Sequence, residues 1–382
     1  MSTDLSKTNL LYTKAFGNSL QSNANDEQKF KEIFLQMSYL NSHGDELKEK
    51  VLNDLIENGI DSLSNYAIDM IEDFKSLALF PYSGNKIKFK NEMIQMYEYA
   101  HNEDIDTVVD TFLGAGGSIS SLYHTFLEKG IKTLIVNDFN HTVINTHKNV
   151  AQKEEELINS VINTYRTIYL LGDDMFNPSP ETLKKLREAF LAMEHSEKYE
   201  EVQTSSLFLF FQHITFSGAY KGIFEGGKDF KTTEATAKIY DMGKYFQGIL
   251  NTIVKIKEYN KIYNSFDIVF MNDDYIKLVE SFRNNEKVVF LFDPPYYASS
   301  ANYGLKKGDF NQIKLLEQLS GLNFLYNNNK HREIFDFIKR FNYHSMSKLR
   351  RNNSSSASDV PVYEYLVASN LDNIESVEFT VS

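Results

Sequence analysis

The stretch Thr107-Val108-Val109-Asp110-Thr111-Phe112-Leu113-Gly114-Ala115-Gly116-Gly117 runs from β-branched residues straight into a glycine loop. The first part reads as a strand, and Ser118 opens a helix that continues through Leu127. A second strand over Ile131 to Val136 ends at Asn137-Asp138. Strand, glycine turn, helix, strand and acid form the first half of a dinucleotide-like α/β unit. Glycines let the backbone approach a ligand closely, and an acid at the second strand's tip can accept both hydroxyls of a ribose. A nucleoside-containing cofactor is the implication. The loop has no Gly-Lys-Ser/Thr ending and no third glycine in the GxGxxG position, so a nucleoside triphosphate and NAD are both weaker readings.

On the N-terminal side, residues 27–75 place apolar side chains at helical spacing, among them Phe30, Ile33, Phe34, Met37, Val51 and Leu55. Residues 1–78 therefore read as a helical N-terminal extension. Phe80-Pro81-Tyr82-Ser83-Gly84-Asn85-Lys86 then breaks the helix, before a further amphipathic segment around Met93 to Tyr99. On the C-terminal side, residues 152–262 are long, charged and mostly helical, and read as an inserted domain. The α/β pattern returns with Phe266 to Met271, Lys287 to Phe292, Tyr343 to Lys348 and Tyr363 to Ala368. The fold class expected is α/β, a Rossmann-like sheet assembled from residues 79–151 and 263–382.

The sharpest chemical feature is Val288-Val289-Phe290-Leu291-Phe292-Asp293-Pro294-Pro295-Tyr296, an apolar strand ending on a carboxylate, two prolines and an aromatic ring. Prolines fix φ and supply no N–H, so the carbonyls of Asp293 and Pro294 can face a site as pure acceptors. Acceptors suit an amino group. An exocyclic amine on a nucleobase is a poor nucleophile because its lone pair is delocalised into the ring, and acceptors pulling on its hydrogens favour the reactive tetrahedral form. Tyr296 could stack on the flat base.

Composition narrows the field further. The 382 residues are 42% apolar and 24% charged, enough for a sizeable core and unlike a disordered chain. Zero Cys excludes a disulfide scaffold, a thiolate zinc site and a Cys nucleophile. The nine His show no HExxH or comparable spacing, so no metal is expected. The start, MSTDLSKTNL, has neither a basic end nor an apolar stretch, so no secretion signal is read there and a cytoplasmic location is expected. The longest uncharged stretch, Val202 to Tyr220, is too interrupted by polar residues to span a bilayer and reads as buried core. A net charge of -12 argues at first against a nucleic-acid partner. Residues 1–80, however, hold 7 Lys and no Arg against 13 acids, half of that excess. Basic patches elsewhere are thus compatible with the total.

Taken in order, these motifs resemble the DNA adenine-N6 methyltransferases of the Dam-like (D12, alpha-group, DPPY) class, from about residue 80 to 371. Tyr82-Ser83-Gly84-Asn85-Lys86 resembles the family's Trp/Tyr-x-Gly-x-Lys motif, which implies that Tyr82 and Lys86 contact the cofactor's methionine portion. Phe112-Leu113-Gly114-Ala115-Gly116 matches its Phe-x-Gly-x-Gly loop, and Asp138 its ribose-binding acid, 24 residues beyond Gly114. Asp274-Tyr275 resembles the Asp-Phe pair that holds the cofactor's adenine. Asp293, Pro294, Pro295 and Tyr296 resemble the family's catalytic motif, which implies that they carry the chemistry. The resemblance implies S-adenosylmethionine as cofactor, double-stranded DNA as partner, and a target-recognition role for residues 152–262. Gly218 to Phe230 only loosely resembles the family's DNA-facing hairpin, so the recognition sequence does not carry over, but Lys221 and Lys228 are DNA-contact candidates. Lys348-Leu349-Arg350-Arg351 resembles a basic loop that lies against DNA, which adds Arg350 and Arg351.

The chemistry expected is methyl transfer to adenine N6 by direct displacement on a flipped-out base, with positioning and charge stabilisation as the main catalytic terms. Methylation of cytosine N4 poses the same amine problem and is the nearest rival. Amine methylation on RNA or protein, and a DNA-binding protein that keeps the fold without turnover, are the readings from other classes.

Overall fold

A computed structural model of the chain describes residues 78–82, 86, 89–170, 178–196, 200–215, 242–296, 310–329, 331–341, 343–350 and 362–369. The expected extension over residues 1–78 lies outside these, apart from Ala78. Seven strands form one sheet: β1 Thr107–Asp110, β2 Thr133–Asn137, β3 Asp267–Met271, β4 Val288–Phe292, β5 Phe324–Asn329, β6 His344–Arg350 and β7 Val362–Ala368. Their order across the sheet is β3-β2-β1-β4-β5-β7-β6. β1 to β5 pair in parallel, and β7 runs antiparallel to both β5 and β6.

Ten helices lie among the described residues: α1 Lys90–Ala100, α2 Gly117–Glu128, α3 His141–Gln152, α4 Glu154–Leu170, α5 Pro180–Glu194, α6 Val202–Ile214, α7 Met242–Asn264, α8 Tyr275–Phe282, α9 Gln312–Gln318 and α10 Arg332–Phe341. None is long and apolar enough to cross a membrane. Side chains alternate across each strand, so the sheet feeds two cores. Val108, Val136, Val289, Leu291 and Leu366 pack with α1 to α7, whereas Val109, Ile135, Phe290, Phe292 and Val367 pack with α8 to α10. Burial on both faces is why β4 reads as an unbroken apolar run, Val288 to Phe292, with every residue buried.

The helices of residues 152–262 share the first core. Leu157 from α4, Phe190 from α5, Phe208 from α6 and Tyr259 from α7 join Val143 and Phe80 there. Val202 to Ile214 is the buried helix α6, in keeping with its uncharged sequence. Its Phe208 meets Phe80 edge-on at 5.0 Å between ring centroids, tying this segment to the stretch before the first strand.

Strand β5 has no counterpart in the sequence expectation. Phe324-Leu325-Tyr326-Asn327-Asn328-Asn329 ends in three asparagines, which disfavour strands taken alone. Its place between β4 and β7 overrides that preference. The buried Asn328 amide donates to Gln312 Oε1 at 3.2 Å and to the Tyr326 hydroxyl at 2.8 Å, so it carries no unmet polar group into the core through that nitrogen.

Candidate active site

The strand order reverses between β1 and β4, and at such a switch point loops leave in opposite directions and open a crevice beyond the strands' carboxyl ends. A cleft of about 370 Å³ lies there. Its walls come from the ends of four strands: Thr111, Phe112 and Gly114 after β1, Asn137 to Asn140 from β2, Asp273 to Ile276 after β3, and Asp293 and Pro295 after β4.

The tips of β1, β2 and β3 are stapled together by side-chain amides. Asn137 donates to the carbonyls of Thr111 and Asp273, both at 3.1 Å, and accepts from Asp273 N at 2.9 Å. Asn272 donates to the carbonyls of Asp138 and Phe139. Between these staples the Asp138 carboxylate is oriented by two backbone donors, Gly114 N on Oδ2 and Asn140 N on Oδ1, each at 2.9 Å. Each oxygen keeps a further lone pair for a ligand hydroxyl. Asp274 caps α8 through Oδ1, which accepts from Ile276 N at 2.8 Å and leaves the other oxygen uncommitted to the cap. Phe112, Tyr275 and Phe310 surround one end of the cleft with ring centroids 5.3–5.6 Å apart, an apolar wall suited to a flat heterocycle.

The end of β4 carries a charged cluster. Lys86, 2% exposed, places Nζ 2.8 Å from Asp293 Oδ1 and donates to the Tyr296 hydroxyl. The same nitrogen lies 4.5 Å from the centre of the Tyr296 ring. Tyr296, 8% exposed, donates in turn to Glu364 Oε2 at 2.8 Å, from a glutamate on β7 that is 4% exposed. Lys86 thus pairs directly with Asp293 and is linked to Glu364 through the tyrosine hydroxyl, so neither buried group is left without a polar partner. Behind the motif Gln312 donates to the Pro295 carbonyl, and its other end is held by Asn328.

Burial sets the electrostatics of the floor. Asp110, 1% exposed at the end of β1, has its carboxyl pushed up to about 8, by burial first and then by the Asp293 and Asp138 charges, against the pull of the Phe112 N–H. Asp138 is raised to about 6 by burial, opposed by its two backbone donors. Under the loop the imidazole of His147 is lowered to about 4 by burial.

Of the residues singled out from sequence, Tyr82, Phe112, Gly114, Asp138, Asp274, Tyr275, Asp293 and Pro295 line the cleft together. Lys86 and Tyr296 lie in the cluster beside it, with Lys86 on the Asp293 carboxylate. Gly116 faces inward: a Cβ there would lie 2.6 Å from Tyr259 Cε1, at a φ of +75°. Pro294 is buried and does not line the cleft. Arg350 is the last residue of β6, while Lys221, Lys228 and Arg351 lie outside the described residues. Sequence reasoning passed over Phe310, Lys314, Gln312, His147, Tyr259 and Glu364. Only Glu364 stood in a quoted motif, read there as a fold strand, and the others reach the site from distant elements with no local signal.

A sheet that is parallel from β1 to β5, with a cleft at its switch point lined by acids and aromatic rings, has the organisation of an α/β protein that binds its ligand beyond the strands' carboxyl ends. The family model for the D12 class N6 adenine-specific DNA methyltransferases matches residues 82–352. The chain belongs to that family and is a DNA adenine methyltransferase. It is also similar to the Type II methyltransferase M1.LlaDCHI of Lactococcus lactis subsp. cremoris, at 21% identity over 297 residues covering 73% of this chain and 91% of that protein.

Proposed function

We propose that the chain moves the methyl group of S-adenosylmethionine directly onto the N6 amine of an adenine swung out of double-stranded DNA. The observation that carries this reading is the shared cleft: Asp293 and Pro295 border the same space as Gly114, Asp138, Asp274 and Tyr275, so a nucleoside-bearing donor and an amine meet within it. The described lining suits a cationic cofactor, with Asp138, Asp273 and Asp274 against one lysine, Lys314, while Asp293 is paired with Lys86. Gly114, at a φ of +50°, keeps free the space beside Tyr82 that a Cβ would enter at 3.0 Å. S-adenosylmethionine, when bound, supplies a methyl already activated by the sulfonium charge.

The residues do the rest by position. Asp138 accepts the ribose hydroxyls, and Tyr82 with Lys86 faces the methionine portion. Asp274 accepts from the adenine amine of the cofactor, while Tyr275 and Phe112 pack against its ring. N6 is paired within the duplex and out of reach there, so the target must leave the stack. Tyr296 then packs on the extruded ring, and the Asp293 carboxylate with the Pro294 carbonyl accepts the two N6 hydrogens. Those acceptors localise the nitrogen lone pair and stabilise the positive charge that grows as the N–C bond forms. The N6 proton lost afterwards leaves by way of the Asp293 side.

Residues 152–262 serve as the target-recognition segment in this reading. Lys221, Lys228, Arg350 and Arg351 supply the local positive charge for DNA that the total of -12 hides. A DNA substrate supports work inside the cell, and the Type II name of the lactococcal relative supports a place beside a restriction enzyme. The test is methyl transfer from labelled cofactor to double-stranded DNA, RNA and protein in parallel, followed by hydrolysis of the DNA to nucleosides. Label in N6-methyladenine from double-stranded DNA is expected. N4-methylcytosine, or label in RNA or protein alone, would overturn the assignment.

A further inference from the structure

We propose that His147 is a positioning residue for the methyl transfer: held in one tautomer by Tyr263, it seats the Gly114 carbonyl and thereby sets the glycine loop for the cofactor. The inference rests on the reading of that loop as the cofactor site.

The carbonyls of the loop are all turned toward protein donors. Leu113 O accepts from Gly116 N at 2.8 Å, Gly114 O from His147 Nε2 at 2.9 Å, and Gly116 O from Ser120 N at 3.1 Å. Ala115 O accepts from Leu79 N at 2.9 Å and from the Tyr259 hydroxyl at 3.1 Å. Ala115 O is therefore held twice, whereas Gly114 O depends on His147 alone among the described residues. The dependence matters because Gly114 and Gly116 both sit at positive φ, +50° and +75°. The Gly114–Ala115 peptide turns about ψ of Gly114, where no Cβ resists the rotation, so its direction must come from an anchor. A trans peptide carries its C=O and N–H on opposite sides. Seating Gly114 O on His147 therefore directs the Ala115 N–H away from α3, while the preceding peptide is held by Gly114 N donating to Asp138.

The geometry also settles which nitrogen carries the proton. A carbonyl only accepts, so Nε2 must donate to Gly114 O, and in the neutral ring Nδ1 is left as an acceptor. The Tyr263 hydroxyl donates to it at 2.6 Å. A protonated ring would offer two donors and turn the tyrosine hydroxyl from donor to acceptor. Full burial of His147, Tyr259 and Tyr263, and an imidazole lowered to about 4, keep the ring neutral. The two tyrosines are one turn apart on α7, and both rings pack within 6 Å of the imidazole.

Substitutions that mimic one nitrogen at a time separate positioning from packing. In His147→Gln the longer side chain carries an amide N–H to the place of Nε2, whereas His147→Asn is too short and reaches only the place of Nδ1. Both variants of the full chain are titrated calorimetrically with S-adenosylhomocysteine, melted thermally, and assayed on double-stranded DNA with cofactor varied. The Asn variant is expected to raise the cofactor Kd and KM about tenfold, with kcat at saturating cofactor and the KM for DNA within about twofold of the parent. The Gln variant is expected to return the Kd to within about threefold, although both variants melt alike. Equal affinities in the two variants, or losses that follow the melting temperature, would overturn the role. If the Asn variant does not fold, Tyr263→Phe replaces it: release of Nδ1 admits the wrong tautomer, so Kd rises about threefold with kcat unchanged. An unaltered Kd there would equally overturn the role. Asp138→Ala serves as the control. Unaltered affinity in both Asp138→Ala and His147→Asn means that the cofactor lies elsewhere and the site reading itself falls. Weakened binding in Asp138→Ala beside an unaltered His147→Asn refutes the positioning role alone.

Discussion

Tyr296 offers two separable functions, a ring that the proposed mechanism stacks on the base and a hydroxyl that joins Lys86 to Glu364, and Tyr296→Phe removes only the second. The phenylalanine ring fills the same volume, so no cavity opens. What is lost is the hydrogen bond accepted from Lys86 and the 2.8 Å hydrogen bond to the Glu364 carboxylate, which is 4% exposed and has little access to replacement water. Hydrogen bonds to charged groups contribute about 1.5–3 kcal/mol, and a loss of about 2 kcal/mol is expected here because Lys86 keeps its ion pair with Asp293. With a denaturant slope of roughly 4 kcal/mol/M for a chain of this size, the urea midpoint should fall by about 0.5 M. Turnover should respond differently. The ring that packs on the base is retained, so the single-turnover rate at saturating cofactor stays within about tenfold of the parent. Tyr296→Ala removes the platform, worth about 1–3 kcal/mol of stacking, and releases the base from its aligned position, so its rate should fall at least a hundredfold, on the order expected for a misplaced reactant. Cofactor affinity, read by calorimetry, is unchanged in the Phe variant. A Phe variant as slow as the Ala variant would show that the hydroxyl rather than the ring serves the chemistry. A Phe variant with an unshifted midpoint would show that the Lys86 to Glu364 connection contributes nothing to the fold.

The two loop glycines should fail in different ways. Gly116→Ala drives a methyl to 2.6 Å from the Tyr259 ring, which is pinned by its hydroxyl on Ala115, and should lower unfolding free energy by about 2–4 kcal/mol. Gly114→Ala meets the partly exposed Tyr82 ring at 3.0 Å and should cost less stability but more cofactor affinity; equal stability losses with unaltered affinity would contradict this. Asp110 sets a pH dependence of stability. Its folded value of about 8 lies above that of an unfolded aspartate, so its contribution is fully present below the unfolded value and is lost as pH rises through about 8. The urea midpoint should therefore fall between about pH 4 and pH 8 and level off above that, and Asp110→Asn should flatten that slope; an unchanged slope would assign it to other groups. Alanine at Lys221, Lys228, Arg350 or Arg351 should each weaken DNA binding in gel-shift titrations and reduce the salt slope by about one unit, and identical slopes in all four would remove them from the DNA interface.

What the sequence determined by itself is the set of features written in neighbouring residues. Thr107 to Gly117 declares a strand and a glycine turn because β-branched residues and glycines have opposite backbone preferences, and Asp138 follows at the tip of the next strand for the same local reason. Asp293 to Tyr296 is legible because two prolines end a strand wherever they stand. Helix α6 was legible as buried, since thirteen residues with no charge have no face to turn to water. The tertiary structure alone decided β5, whose three asparagines become a strand only because β4 and β7 supply ladder partners on either side. It also decided that Gly116 serves packing against Tyr259 while Gly114 faces the cleft, a distinction that two identical residues in one loop cannot show in sequence. The Lys86, Tyr296 and Glu364 cluster joins residues 210 and 68 positions apart, and His147 meets Gly114 across 33. Such contacts leave no periodicity or motif behind, because a hydrogen bond between distant elements constrains only the two side chains that meet and nothing in the sequence between them.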